Sequence, residues 1–505
     1  MRPDPVPAAM PRRPARPLRA ALAAVIASVL LAASVLPAAA TGPAWRIVHV
    51  SRVSRDPFSL ATRTSEPTVA AHPTDPRRIA AVFPDGDTTD GTPTIRISRD
   101  GGRTWADVPG RPTGGGNHPV IAWGPGPRPG SARLYYSGMA GVAGDLHHAI
   151  SWSDDEGRTW SRPWYAARTR GWFGGYPDMI VDSDPGSPGY GVLYHVYNWP
   201  LDPERGPGMR LLASADHGRT FAQLEIPRAP PPVGFDEAWR IGYRLATGPG
   251  GTLYVSGYQA DLRAWDPAYP FAKGDLANIG RLAFTVTRVV FDRARGTFVR
   301  GPTRVALRLP VTAWNLGRTG TGLHVSQVEP SWASGLAVDR RGRVWVAAGV
   351  DGRIVLALGT GGGRLWTTRR LPRPPAVAGR PQVAFRPQVL AGRGFVAVLA
   401  GTADDRVTGR SAGRVAAVTR DGGRTWLGPA ALTPVRWLTA PVAALHNGPG
   451  LRDRAVLLAG RRALFYAWGD GRDGWTSIWG ARIAVPLARP PAPTPTPVPS
   501  PAPPG

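Results

Sequence analysis

From about residue 66 onward the chain repeats one pattern: a short apolar run, a turn rich in Pro, Gly and Asp, then a second apolar run. Clear copies are EPTVAAHPTDPRRIAAVF from Glu66, HPVIAWGPGPRPGSARLYYSG from His118 and EPSWASGLAVDRRGRVWVAAG from Glu329. Others begin at Tyr176, Arg240, Arg380 and Ala440, giving seven in all. Short apolar runs bounded by turn formers read as strands, and each pair reads as a hairpin. A third apolar run follows, as in TIRISRD and GRVAAVTRD.

After the third run comes an octapeptide of the form Ser/Thr-x-Asp-x-Gly-x-Thr-aromatic. Its first copy uses Ser98, Asp100, Gly102, Thr104 and Trp105, and its second Ser153, Asp155, Gly157, Thr159 and Trp160. The third uses Ser214, Asp216, Gly218, Thr220 and Phe221, and the fourth Thr419, Asp421, Gly423, Thr425 and Trp426. A decayed copy, Gly359 to Trp366, keeps glycine, arginine and tryptophan but has no aspartate. Every residue type here suits a tight turn: the carboxylate and hydroxyls bond backbone N–H groups, glycine takes a positive φ, and the aromatic packs between sheets. Asp100 and its counterparts are therefore expected to be structural.

Repeats of roughly 55 to 60 residues, each with four strands, predict an all-β protein built as a β-propeller of four-stranded antiparallel blades. Seven blades are counted, with six as the alternative. The last repeat ends after its third strand, so the N-terminal run Trp45 to Val53 is expected to supply the fourth and close the ring. An insertion near Asp261 to Gly280 is expected to be a projecting loop.

These octapeptides resemble Asp-box, or BNR, repeats, and residues 45–485 resemble bacterial sialidase-like propellers of the neuraminidase superfamily. The resemblance implies a ligand at the mouth of the central channel, where the innermost strands begin. The expected rim is Glu66, His118, Tyr176 with Asp178, Arg240, Glu329, and Arg380 or Gln382. A sialidase-like hydrolase would need arginines for the substrate carboxylate, an acid, and a tyrosine activated by a glutamate. The resemblance suggests Arg240 and Arg386 for the first role, Asp178 for the second, and Tyr176 or Tyr243 beside Glu237 or Glu329 for the third. Two features depart from that family: no Arg-Ile-Pro motif stands near the start, and typical sialidases have six blades. Binding of glycans or another extracellular ligand is accordingly the leading expectation, with an exo-sialidase-like glycoside hydrolase and a cell-envelope protein scaffold as alternatives.

Composition and charge adjust this picture at the edges. The net charge is +26, but the basic residues are almost all arginine and are spread along the chain instead of clustering among aromatics. That argues for a cationic surface and against a specific nucleic-acid groove. There is no cysteine, which excludes disulfides and thiolate metal sites. Arg12, Arg13, Arg16 and Arg19 precede the apolar run Ala20 to Val35 and the small residues Ala38 to Ala40. Residues 1–40 thus read as a secretory signal, and the membrane enters only if that segment stays uncleaved. Residues 486–505 are Pro-rich and expected to be an extended tail. The expected location is secreted or at the cell envelope, and the expected state a monomer. No cofactor is expected; Asp85 to Gly91 is a weak candidate Ca²⁺ loop, and His147-His148, pointing to opposite sheet faces, is a poor metal pair.

Overall fold

A computed structural model describes residues 46–54, 67–84, 93–113, 115–142, 145–166, 177–200, 207–226, 238–261, 281–310, 335–350, 352–403, 411–433, 437–438, 453–470 and 477–485. The expected signal, the Pro-rich tail, the Asp85 to Gly91 loop and most of the Asp261 to Gly280 insertion lie outside them.

Seven antiparallel sheets form the blades of a propeller. The innermost strands, in chain order, are Thr68–Ala71, Asn117–Pro125, Asp178–Val181, Ala238–Gly248, Gly335–Val338, Val383–Gly392 and Arg454–Leu457. Each touches the next, and the last touches the first, so the ring is closed. Blades 1 to 6 step outward in sequence order, as the hairpin pattern requires, and blade 6 adds a short fifth strand, Trp437–Leu438. Blade 7 takes its outermost strand from Arg46–Arg52, which pairs antiparallel with Ser477–Ala484. The N-terminal closure expected from the sequence is therefore observed, and it ties both ends of the ring to one sheet.

One element falls elsewhere than the pattern suggests. The hairpin of blade 7 joins Arg454–Leu457 to Ala463–Asp470 through the turn at Leu458 to Arg462, one strand later than the pattern from Ala440 implies. Residues 439–452 lie outside the described ones. Periodicity alone does not say which of two neighbouring apolar runs pairs with the strand that follows.

The core is divided by seam. Seven apolar clusters lie one at each junction between adjacent blades. At the closing junction, Val69, Ile79 and Phe83 of blade 1 pack on Phe465 and Ile478 of blade 7. Alternation along the strands produces this: successive side chains face opposite neighbours, so Tyr135 faces blade 3 while Tyr136 faces blade 1. Burying one such side chain contributes about 2 kcal/mol.

The octapeptides form turns with one hydrogen-bond pattern. In each, the first Ser or Thr hydroxyl donates to the Asp Oδ1 at 2.8 Å and accepts from the Gly N–H at 2.6–2.9 Å. The Asp Oδ2 accepts from the later Thr hydroxyl at 2.6–2.7 Å, and Oδ1 from its N–H at 2.9–3.0 Å. Burial alone would raise these carboxyls, but the bonds from Thr and Ser outweigh it and hold Asp100 and Asp421 at about 2. Asp155 and Asp216 are lowered for the same reason. Fully engaged and ionised, these groups have no proton to give at neutral pH.

The turns also seal the seams. A Cβ on Gly102, at φ +95, would stand 2.4 Å from the Phe465 ring of blade 7. Only glycine permits both that backbone and that approach. The turn aromatics follow the same direction: Trp105 packs on Phe465 at 5.5 Å, and Trp426 on Trp345 of blade 5 at 6.2 Å.

Candidate functional site

The starts of the inner strands define the upper mouth of the channel. Glu66, Tyr176, Glu237 and Glu329 lie outside the described residues. Arg240 and Tyr243 lie on the inner strand of blade 4, where only the backbone is described. His118 is on the inner strand of blade 2, Arg386 is buried on that of blade 6, and Asp178 is buried at the start of that of blade 3. Arg380 is exposed just ahead of blade 6, and buried Gln382 donates from Nε2 to its carbonyl at 3.2 Å. The expected Tyr–Glu pair and the Arg240 side chain thus lie outside what is described, and of the expected hydrolase groups only Asp178 and Arg386 have described side chains.

Three inner strands bend near their upper ends. Their registers shift between Asn117 and Val120 in blade 2, between Ile241 and Arg244 in blade 4, and between Phe385 and Gln388 in blade 6. His118 and Arg386 sit inside two of these bulges with φ of 50° and 49°. A left-handed backbone is uncommon outside glycine and especially so for a long side chain, and bulges re-aim side chains.

A pairing that sequence reasoning missed crosses the channel. Arg454, first residue of the inner strand of blade 7, makes an ion pair with Asp178 of blade 3. Asp178 also accepts from the N–H of Leu245 in blade 4 at 2.8 Å and of Met179 at 3.0 Å. One carboxylate thus ties three blades, and all its partners are donors. Burial pushes Arg454 down to about 10, which leaves the guanidinium charged at neutral pH. The neighbouring Asp453 is tied to blade 6 by Arg414, whose Nε stands at 2.7 Å, and within blade 7 it accepts from the Tyr466 hydroxyl at 2.7 Å. The signal was the pair Asp453-Arg454 that opens the run DRAVL, obscured because the pattern from Ala440 placed it in a turn. Past Asp178, Met179 to Val181 line a cavity of about 440 Å³, with Arg340, Arg393 and Arg461 at its lower end.

The adjacent histidines separate as alternation predicts. His147 lies with Nδ1 3.0 Å from the Ala166 carbonyl, whereas His148 is buried in the seam to blade 3, its ring 5.3 Å from that of His195. Among the described residues no group of three or more His, Asp or Glu is placed to hold a metal.

No protein-family model matches the chain, and no curated protein matches it. Among solved structures it is similar to an ulvan lyase of a polysaccharide lyase family, at 14% identity over 85% of this chain and 96% of that one, with a TM-score of 0.47. It is also similar to an α-L-arabinofuranosidase of Fusarium graminearum, at 13% identity over 75% of this chain and 98% of that one, TM-score 0.44. A Hadza microbial sialidase shares 14% identity over 80% of this chain and 73% of that one, TM-score 0.38. None of these likenesses assigns the chain to a family.

Proposed function

We propose that this protein is a secreted, monomeric propeller of the sialidase-like Asp-box type that binds glycans or another extracellular ligand at the upper channel mouth. The observation that carries the reading is the pair of non-glycine residues held left-handed in inner-strand bulges, His118 and Arg386. Such backbones cost of order 1–3 kcal/mol each and persist where surrounding structure requires a side chain in one place. The ring of expected polar residues at the same strand ends supports a polar ligand. Secretion rests on the arginines and apolar run of residues 1–40.

A hydrolase is the second reading, favoured by Arg386 and Arg454 both standing on inner strands. Against it, the surroundings of Asp178 suit an acceptor better than a general acid, because two N–H groups and a guanidinium already point at it. The test applies the protein to a glycan array and to a panel of aryl glycosides that includes sialosides. Retention on the array without fluorophore release is expected, lost in Arg386→Ala and not restored by Arg386→Lys, which keeps charge but not the planar fork. Release of fluorophore would overturn the binding reading in favour of the hydrolase, and unchanged retention by both folded variants would remove the upper mouth as the site.

A further inference from the structure

The decayed octapeptide of blade 5 stands beside an open seam. Gly359 replaces the first hydroxyl, Gly361 the aspartate and Leu365 the later threonine, so none of the bonds of the intact turns can form. A Cβ on Gly359 would meet the Trp366 ring at 2.9 Å: the tryptophan has taken the space of the missing serine. Among the described residues the side-chain bond of this turn is internal, Arg364 Nε donating to the Gly361 carbonyl at 2.9 Å.

Between this turn and the outermost strand of blade 4, Thr297–Pro310, lie two cavities of about 560 and 640 Å³. They follow one another along that strand: Gly301 to Arg304 line the first, Val305 to Arg308 the second. An eight-residue stretch of strand spans roughly 25 Å, the reach of several linked sugars. Arg288, Arg304, Arg341 and Arg364 line the first cavity, and Arg308, Arg369 and Arg370 the second. Neither lining contains a carboxylate. None of these seven arginines has a carboxylate partner among the described residues, although Arg369 donates to the Gly423 carbonyl at 2.6 Å.

The contrast with the rest of the ring is what gives the patch meaning. At other seams several arginines meet a carboxylate, Arg133 that of Asp154, Arg78 and Arg99 that of Glu156, Arg343 that of Asp339, while Arg293 and Arg482 donate to backbone carbonyls of the neighbouring blade. In this seam no described carboxylate faces the cations, and they stand beside apolar walls at Val305, Leu307, Val350, Val355 and Trp366. Guanidinium forks match carboxylate and sulfate oxygens, while an aromatic and aliphatic wall suits the C–H face of a pyranose. Polyphosphate has no such face, so charge and wall together favour a sugar chain.

We infer that the seam between blades 4 and 5 is a groove for an acidic polysaccharide, whose carboxylate or sulfate groups are held by Arg304, Arg308, Arg341 and Arg364 and whose rings lie along Trp366 and its aliphatic neighbours. This groove is on the outer rim and does not depend on the upper mouth being a ligand site.

Fluorescence anisotropy of the full chain with labelled hexagalacturonate, a sulfated galactan hexamer, neutral cellohexaose and inorganic polyphosphate tests it. At least one acidic hexamer is expected to bind, in a salt-dependent way, and cellohexaose much more weakly. Arg304→Glu/Arg308→Glu, at two exposed positions, should weaken binding at least tenfold with unchanged thermal unfolding. The charge-matched control Arg111→Glu/Arg162→Glu, also at exposed positions, should change it less than twofold. Equal loss in both double variants, equal binding of cellohexaose, failure of both acidic hexamers, or polyphosphate binding as tightly with the same arginine dependence would each overturn the inference. If instead Arg386→Ala abolishes retention on the array while hexameric acid still binds, the two sites are separate and both stand.

Discussion

The turns Thr419–Trp426 of blade 6 and Gly359–Trp366 of blade 5 occupy the same point of adjacent blades, yet one locks its seam and the other leaves it open. In blade 6, Asp421 gathers Thr419 and Thr425, and the fixed backbone presents carbonyls to blade 5, where Arg343 and Arg369 bond Gly422 and Gly423. Blade 5 has lost the carboxylate and both hydroxyls, and no hydrogen bond from blade 4 reaches its turn among the described residues. The two turns thus differ in backbone, Gly361 being left-handed at φ +58 where Asp421 is not, and in the side-chain bonds that hold them. A turn bonded through its own side chains can serve as a template for its neighbour, and one without them leaves room for something else.

The glycines at the fifth position offer the largest test of that difference. Gly423 has φ +89 and Gly363 φ +80, so an added methyl meets the same backbone penalty in both, about 1–2 kcal/mol. Their surroundings differ: the methyl at Gly423 would stand 2.8 Å from Trp345 of blade 5, whereas at Gly363 its nearest neighbour is Trp366 of the same turn, at 3.3 Å. Gly423→Ala is expected to lose about 3 kcal/mol or more in urea unfolding, and Gly363→Ala about 1. Equal losses would show that the blade 5 seam is as tight as the others.

The carboxylate comes next in size. Asp421→Ala leaves Thr419 and Thr425 without their acceptor and should cost about 2 kcal/mol, while glycan affinity of the folded protein stays as it was. Gly361→Asp is the reciprocal change. Asp tolerates the φ of +58 at that position, but finds neither hydroxyl there, so stability should move by no more than about 0.5 kcal/mol. Binding of an acidic hexamer in the groove should nevertheless fall, because the new carboxylate stands beside Arg364. A gain in stability from Gly361→Asp would mean that the aspartate alone, without its hydroxyls, organises the turn.

The same contrast explains what could be read from the chain. Four intact octapeptides and six of the seven apolar hairpins made the blades legible, because strand alternation and turn chemistry are local, while the seventh was placed one strand early. The closure by Arg46–Arg52 followed from a missing strand in the last repeat. What stayed hidden depends on closure in space: Asp178 and Arg454 are 276 residues apart and meet only because blades 3 and 7 face each other across the channel. The bulges at His118 and Arg386 each hold a proline, Pro119 and Pro387, which cannot donate to the ladder, so their signal stood in the sequence unread, whereas His148 meets His195 only once two blades stack. The open seam of blade 5 was visible as a decayed copy, but its arginines come from both blades and from strands far apart in sequence.

The seam between blades 2 and 3 provides the smallest and most selective test, since it is closed by an intact turn yet holds a buried polar group. His195 is fully buried, neither ring nitrogen has a hydrogen-bond partner, and burial together with the neighbouring His148 holds it well below its ordinary value of 6.5. It therefore stays neutral when folded, whereas the unfolded chain takes up a proton as pH falls below about 6.5. Stability due to this group is full above that value and declines beneath it. The turn carboxylates act in a separate window: their values are depressed, so their contribution persists until pH falls below about 4 and is lost as it passes through about 2. His195→Phe should accordingly gain on the parent protein by about 1 kcal/mol between pH 7 and pH 5.5 in urea unfolding, a range in which the turn aspartates do not change charge. If the difference between the two proteins is the same at both values, His195 is not held neutral, and the acid sensitivity of the ring lies in its turns alone.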